Sequence, residues 1–317
     1  MKKLSVPVLA LLISGLSAGA AGANNGVAGA RVNPDPGAVR AYWTPERMRN
    51  AIPRDIVRGG QPAQPFGKPG GSGGGTTAPG TAVLATWPTD LTDLTYTNGK
   101  VYFTDKGVGY VCSGTAINSQ NGSVVWTAGH CVNEGGPNYF FDNWKFMPAY
   151  NSGRGFPDFI AGHLYTSSAW ATSGDFGKDY GAAVVLKNGS QSLEDTLGGI
   201  GRDLNFATPT ALGTPLDAWG YPAAGKFNGR SLYHCPSQIK YNDGSADPAT
   251  NGIPCTMTGG SSGGAWLDSN GKQVSNNSYG YSSLKNVMFG PQFGSIAQEL
   301  FATADGTTTQ PDIVGNG

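Results

Sequence analysis

The sequence predicts an all-β fold, an antiparallel barrel or sandwich, on three observations. Short runs of strand composition recur from about residue 98 onward, each bounded by turn residues. Charged residues make up only 13% of the chain while 50 of its 317 residues are glycine, a balance that suits a turn-rich β protein better than a helical one. Helical patterning is scarce, and no internal repeat of fixed period interrupts the picture.

In chain order, Lys2 and Lys3 precede an apolar run from Leu4 to Leu16 and then Ala18-Gly19-Ala20 and Ala21-Gly22-Ala23. These read as the n-region, h-region and cleavage sites of a signal peptide at residues 1–23, which sends the chain out of the cell. No later stretch approaches the roughly 18 continuous apolar residues of a membrane span. Residues 24–80 differ from the rest. Asn33-Pro34-Asp35-Pro36-Gly37 reads as a turn cluster. Thr44 is placed to cap a short helix with Pro45 at its first position and Glu46 in its first turn, and Pro53 stops it. From Gly59 to Gly80 the chain is Gly, Pro, Ser, Thr and Gln with almost nothing to bury, as in an exposed, cleavable linker. Residues 24–80 are therefore expected to be a pro-segment with its linker, and 81–317 the functional domain. In that domain strands are expected at 100–104, 109–117, 123–127, 182–186, 216–219, 230–233, 265–267 and 272–275. Asn98-Gly99 and Asn121-Gly122 are expected as turns, and one helix at 295–301 with Ser295 as its cap.

Lys+Arg and Asp+Glu balance at 21 each, with no long basic run, so neither nucleic acid nor an anionic membrane is expected as a partner. The four cysteines of an exported chain, Cys112, Cys131, Cys235 and Cys255, suggest disulfides and allow three pairings. The expected pairing is the local one, Cys112–Cys131 and Cys235–Cys255. Each bridge then closes a loop of about 20 residues, worth about 3 kcal/mol. Zinc suits them poorly, since no Cys-x-x-Cys pair is present.

The chemistry centres on Met257-Thr258-Gly259-Gly260-Ser261-Ser262-Gly263-Gly264-Ala265-Trp266. A serine between glycines on a tight turn suits a nucleophile, because glycine takes positive φ and lets a carbonyl approach main-chain N–H groups. A nucleophilic serine needs a base, and the base needs an orienting acid. Of three histidines, His130 stands at a strand end beside Cys131, whereas His163 and His234 lack such a setting. Asp179, at the entrance to an apolar strand, is the expected orienter, with Asp142, Asp158 and Asp175 as competitors. Gly260-x-Ser262-x-Gly264 also fits the elbow of an α/β-hydrolase, but there the histidine follows the serine, and none does here. His-Glu-x-x-His is absent, which removes that class of metal hydrolase. A non-catalytic binding module on the same scaffold would be signalled by a missing base or acid, and none is missing.

Thr127-Ala128-Gly129-His130-Cys131 matches the Thr-Ala-x-His-Cys signature of chymotrypsin-like (trypsin-family) serine proteases. Gly260-Ser261-Ser262-Gly263-Gly264 resembles their Gly-Asp-Ser-Gly-Gly, Asp179 to Val184 their aspartate-plus-apolar strand, and Ser278-Tyr279-Gly280 their Ser-Trp-Gly edge. The overall pattern is most similar to secreted bacterial members. The resemblance spans about residues 85 to 303 and implies two antiparallel six-stranded β-barrels with the site between them. It implies Ser262, His130 and Asp179 as the triad of a secreted endopeptidase, Gly260 and Ser262 as oxyanion donors, and Ser278 to Gly280 as the strand that pairs with substrate. It implies no cofactor or metal, protein or peptide substrates, and a monomer. Two departures stand out. Ser261 replaces the aspartate that captures the new N-terminus in many zymogens of the family. Thr256 stands where trypsin has the aspartate that selects Arg or Lys, and Asn277 where glutamate-specific bacterial relatives have a histidine. Thr256, Asn277 and Gly280 together imply a neutral, mildly polar specificity pocket.

Overall fold

Six strands of the first half close on themselves. The computed structural model describes residues 26–33, 35–59, 80–90 and 92–309. The expected signal peptide and residues 60–79 of the expected linker lie outside them.

The chain enters through strand β1 (Val27–Arg31), helices α1 (Pro36–Tyr42) and α2 (Pro45–Asn50), and the short strands β2 (Ile52–Pro53) and β3 (Val57–Arg58). Asn33 to Gly37 launch α1 instead of only turning: Asp35 accepts the Ala38 N–H, and Pro36 supplies a preset φ at the first helical position. Thr44 caps α2 as expected. None of these elements stands apart from the body. β1 lies antiparallel on β9, and Val39 and Trp43 pack on Tyr102, Val111 and Ile160.

After β4 (Val83–Leu84) come β5 (Asn98–Asp105), β6 (Val108–Ile117), β7 (Val124–Thr127), β8 (Asp142–Pro148), β9 (Phe159–Ser167) and β10 (Gly181–Val185). β9-β10-β7-β6-β5-β8 pair in that order and β8 returns to β9, which closes the barrel. Its interior holds Val101, Phe103, Val125, Phe146 and Leu164, all wholly buried. Asn98-Gly99 is strand and not turn. A Cβ on Gly99 would sit 2.4 Å from the Phe146 ring, so the glycine lets β8 approach. Asn121-Gly122 is the expected turn, with Gly122 at φ +64°.

The second half holds β11 (Pro215–Gly220), β12 (Tyr233–Gln238), β13 (Tyr241–Asp243), β14 (Thr250–Pro254), β15 (Ala265–Leu267), β16 (Gln273–Asn276), β17 (Tyr279–Tyr281) and β18 (Leu284–Gly290). They form two five-stranded sheets, β16-β15-β11-β12-β4 and β13-β14-β18-β17-β3, around Ala218, Cys235, Ile253, Trp266 and Val274. The strand expected at 230–233 begins only at Tyr233. Short α3 (Ser168–Ser173) and α4 (Leu193–Thr196) fill connections. The closing helix α5 (Gly294–Asp305) starts earlier than expected, so Ser295 is inside it and Phe293 precedes it without a side-chain cap. Ala297, Leu300 and Ala304 recur on one face and bury against Trp126, Tyr180 and Val184 on the outside of the barrel. Burying Leu300 alone contributes about 2 kcal/mol.

Both expected disulfides are present, Cys112–Cys131 in the barrel and Cys235–Cys255 in the second half. Replacing Cys235 and Cys255 together by alanine is expected to lower unfolding free energy by about 3 kcal/mol in urea titration. Opposite Arg31 of β1 stands His163 of β9. Burial, and next the Arg31 guanidinium, hold its imidazole below the ordinary value. The unfolded chain then takes up this proton first as pH falls, so β1 is held firmly above about pH 6.5 and less firmly below it. Hydrogen exchange, corrected for intrinsic rate, is expected to quicken in β1 at pH 5 relative to pH 7.5, and less so in His163→Gln.

Candidate active site

His130 hangs from the end of β7 in a tight 3-10 turn, Gly129–Cys131, and the Cys131 disulfide ties that turn to β6. Gly129 is required there: an added Cβ would lie 2.9 Å from Asp179 Oδ1 and 2.8 Å from the Trp170 ring. Asp179 follows a second 3-10 turn, Phe176–Lys178, just before β10. Its carboxylate is wholly buried and accepts from the His130 main-chain N–H at 2.8 Å, from His130 Nδ1 at 2.7 Å, and from the Ser278 hydroxyl. Three donors offset the desolvation of that charge and orient the ring with its N–H on Nδ1. His130 Nε2 is thereby left as the basic nitrogen, and it is buried without a hydrogen-bond partner among the described residues.

The competing aspartates are engaged elsewhere. Asp142 accepts from the Tyr139 hydroxyl, Asp158 pairs with Lys145 and Arg40, and Asp175 caps the 3-10 turn. His234 meets Asp217 at 2.9 Å and stacks on Trp219.

The serine loop packs directly on the histidine segment. A Cβ on Gly263 (φ +82°) would fall 2.0 Å from Thr127 Oγ1, so only glycine fits between them. Two residues bolt the loop in place. Ser113, beside Cys112 on β6, donates its N–H to the Ser262 carbonyl at 2.7 Å and its hydroxyl to the Gly260 carbonyl at 2.9 Å. The same hydroxyl accepts the Tyr221 N–H at 2.9 Å. On the other side Asn277 Nδ2 donates to the Ser261 and Trp219 carbonyls at 2.8 Å each, and its Oδ1 accepts from Trp266. Gly260 takes φ +93°, and neither its N–H nor that of Ser262 donates within the described backbone network. Sequence reading missed Ser113, whose only signal was its place next to a half-cystine.

No protein-family model and no curated protein matches the chain. Among solved structures, a thermostable serine protease, AL20, from an extremophilic microorganism is 40% identical with TM-score 0.62, over 68% of this chain and 99% of that one. Protease Anisep from Arthrobacter nicotinovorans is likewise 40% identical with TM-score 0.61, over 67% and 96%. The chain belongs to the chymotrypsin-like serine proteases. It is a serine endopeptidase, and its substrates are proteins or peptides. A Glu endopeptidase at 20% identity and TM-score 0.55, over 72% and 98%, shares the fold.

In the protease, Ser262 opens on a cavity of about 170 Å³ whose walls include Met257, Thr258, Ser278, Gly280, Val287 and Met288. Asn277 and Tyr279 also border it, whereas Thr256 does not. The Thr256 hydroxyl instead accepts the Ala82 N–H at 2.9 Å, and the Asn277 amide is committed to the loop behind the serine. The walls thus mix apolar Met257, Val287 and Met288 with Asp55, Lys285 and Asn286, and apart from Met257 the sequence singled out none of these. The cluster Cys112, His130, Cys131 is the one grouping of candidate metal-ligating atoms among the described residues, and its two sulfurs are already joined to each other.

Ser113→Ala removes the hydroxyl that joins Gly260 to Tyr221. A shift of the loop by a fraction of an ångström is expected to lower kcat by about 10²-fold with a smaller change in KM. Steady-state kinetics on a peptide substrate, beside a urea unfolding curve, checks this. Unchanged kcat in the folded variant would show that the Ser113 hydroxyl does not position the serine loop.

Proposed function

We propose that the protease cuts peptide bonds through a Ser262–His130–Asp179 triad and an acyl-enzyme. One observation carries the reading: a buried Asp179 carboxylate holds Nδ1 of His130 at 2.7 Å, which leaves Nε2 as the only basic position on the ring. Ser262 Oγ attacks the scissile carbonyl while its proton passes to His130 Nε2. The oxyanion that forms is met by the N–H groups of Gly260 and Ser262, aimed by the positive φ of Gly260 and by Ser113 behind it. His130 then protonates the leaving amine, and a water, deprotonated by the same nitrogen, releases the acyl group from Ser262. Ser278 to Gly280 form the edge along which an extended substrate pairs in place of Val57 and Arg58, which lie on that strand in this structure.

The same reading assigns residues 1–23 to a signal peptide, 24–80 to a pro-segment and 81–317 to the protease domain, secreted and acting as a monomer without cofactor. Ser261 supports a maturation that differs from N-terminal insertion. Its hydroxyl donates to the Thr258 carbonyl at 2.8 Å and supplies no carboxylate for a new ammonium group.

Ser262→Ala is expected to abolish both peptide hydrolysis and labelling by a fluorophosphonate. Asp179→Asn, which presents the wrong tautomer, is expected to lose about 10⁴-fold in kcat, as in the family's reference enzyme. Labelling that persists in Ser262→Ala, mapped to another residue by mass spectrometry, would refute the assignment.

A further inference from the structure

Residues 52–58 cross from one half of the molecule to the other directly over the cleft. At one end Ile52 and Pro53 lie parallel on Tyr110 and Val111 of β6. Arg54 fixes that end: its N–H donates to Val111, and its guanidinium meets Asp105 at 3.0 Å and Glu134 at 3.2 Å over the Tyr110 and Phe141 rings. In the middle Asp55 presses on the serine loop. A Cβ on Gly259 would stand 2.7 Å from that of Asp55, which borders the same cavity as Ser262. At the other end Val57 and Arg58 pair with Gly280 and Tyr281, the Gly280 N–H donating to Ile56 at 3.1 Å and the Ser282 N–H to Arg58 at 3.2 Å.

The Arg58 side chain fills a socket built for a cation. Its guanidinium carbon lies 4.7 Å from the Phe176 ring centre, 5.2 Å from that of Tyr279 and 5.4 Å from that of Tyr281. Its Nη1 reaches Ser245 Oγ at 2.8 Å and Asp243 at 3.4 Å. Asp243 is itself fully buried, and the Tyr279 and Tyr281 hydroxyls and the Ser245 N–H all donate to it. Burial works to raise the Asp243 carboxyl, but those hydrogen bonds outweigh it and hold the group below the usual carboxylate value, ionised opposite Arg58.

Strand direction decides what this segment does. Asp55 sits at the serine loop and the following residues run away from it along β17. A peptide whose acyl half lies on that edge must run toward the serine as it is read from N to C. The leader is therefore reversed, and its carbonyls lie off the line of attack. Ser262 and His130 are 4% and 1% exposed, and Asp55 and Val57 of this segment line the cavity on which Ser262 opens.

We propose that residues 52–58 are an intramolecular inhibitor, laid backwards along the substrate edge and locked by the Arg58 guanidinium in the Phe176–Asp243–Tyr279–Tyr281 socket. The proposal rests on Ser262 as nucleophile and on Ser278 to Gly280 as the substrate edge.

The test uses the full chain, intact by mass spectrometry, as wild type and as Arg58→Ala, Arg58→Lys and Arg54→Ala. Fluorophosphonate labelling at Ser262 is timed in each. Arg58→Ala and Arg54→Ala are expected to label about tenfold faster or more, the scale of losing one charge-assisted hydrogen bond, and Arg58→Lys to fall between them and wild type. Hydrogen exchange, run in a Ser262→Ala background to prevent self-cleavage, separates release from misfolding. In Arg58→Ala the Gly280 and Ser282 amides should lose protection while Val125 and Leu164 in the barrel keep theirs. Equal labelling rates in wild type and in both alanine variants, at Ser262, overturn the inhibitor and leave the triad standing. Loss of barrel protection in parallel with faster labelling also overturns it. Absence of labelling at Ser262 in every form, Arg58→Ala and Arg54→Ala included, overturns the nucleophile and the inhibitor together.

Discussion

The buried carboxylate of Asp179 constrains everything around the cleft. A fully desolvated charge is tolerated only when its lone pairs are met, and here the donors come from two halves of the molecule. The main chain and ring of His130 belong to the barrel, while the Ser278 hydroxyl belongs to the second sheet system. Asn276 adds a bond from that side to the Asp179 carbonyl at 3.1 Å. Docking of the halves is thus written into the same group that sets the histidine tautomer. Ser113 repeats the arrangement in the opposite sense, a barrel residue that holds the serine loop of the second half. Fold stability and catalytic geometry are one set of hydrogen bonds along a seam.

The all-β class was legible in the sequence, as were the residues that meet at the cleft, while individual strands were less so. His130, Asp179 and Ser262 stood out because tight turns and glycines announce close approach, and chain order removed the competing arrangements. Strands β5 to β7 and β10 were legible as runs of β-branched and aromatic residues. β8 and β9 were not. β9, Phe-Ile-Ala-Gly-His-Leu-Tyr-Thr-Ser, faces the barrel core on one side and α5 on the other, so it shows no clean alternation. Asn98-Gly99 misled for a related reason, since a glycine that admits a neighbouring ring looks the same in sequence as one that makes a turn. In the second half, strands such as Thr250-Asn251-Gly252-Ile253-Pro254 bury polar side chains on hydrogen bonds that no local pattern encodes. Thr256 shows the limit at a single residue: position relative to the nucleophile marked it as a pocket wall, whereas its hydroxyl is held by Ala82.

Residues 26–59 show how composition can hide function. They are short of long apolar runs, and their local signals specify only two short helices, started by Asp35-Pro36 and Thr44-Pro45. Their order comes from partners far along the chain: β9 for β1, β6 for Ile52 and Pro53, β17 for Val57 and Arg58. Each contact is a strand added to an edge, which depends on main-chain groups and leaves little mark on sequence. Arg54 and Arg58 are the exceptions, because a guanidinium needs a built site. Both have one, a pair of carboxylates over two rings for Arg54 and a carboxylate among three rings for Arg58.

Covering β17 also meets a physical need apart from inhibition. An edge shaped to pair with any extended peptide is an edge open to other chains, and in a folding precursor that is an aggregation hazard. A strand from the same polypeptide covers it at high effective concentration. Polarity then determines the consequence. Had the leader run antiparallel to its present course, Asp55 would lead into the cleft with its carbonyls ordered as in a cleavable peptide. Running away from Ser262, it pairs with Gly280 and Ser282 and fills the socket. On the inhibitor proposed above, the same edge would accept two directions of chain, one for turnover and one for storage, with the Arg58 socket at its far end favouring the second.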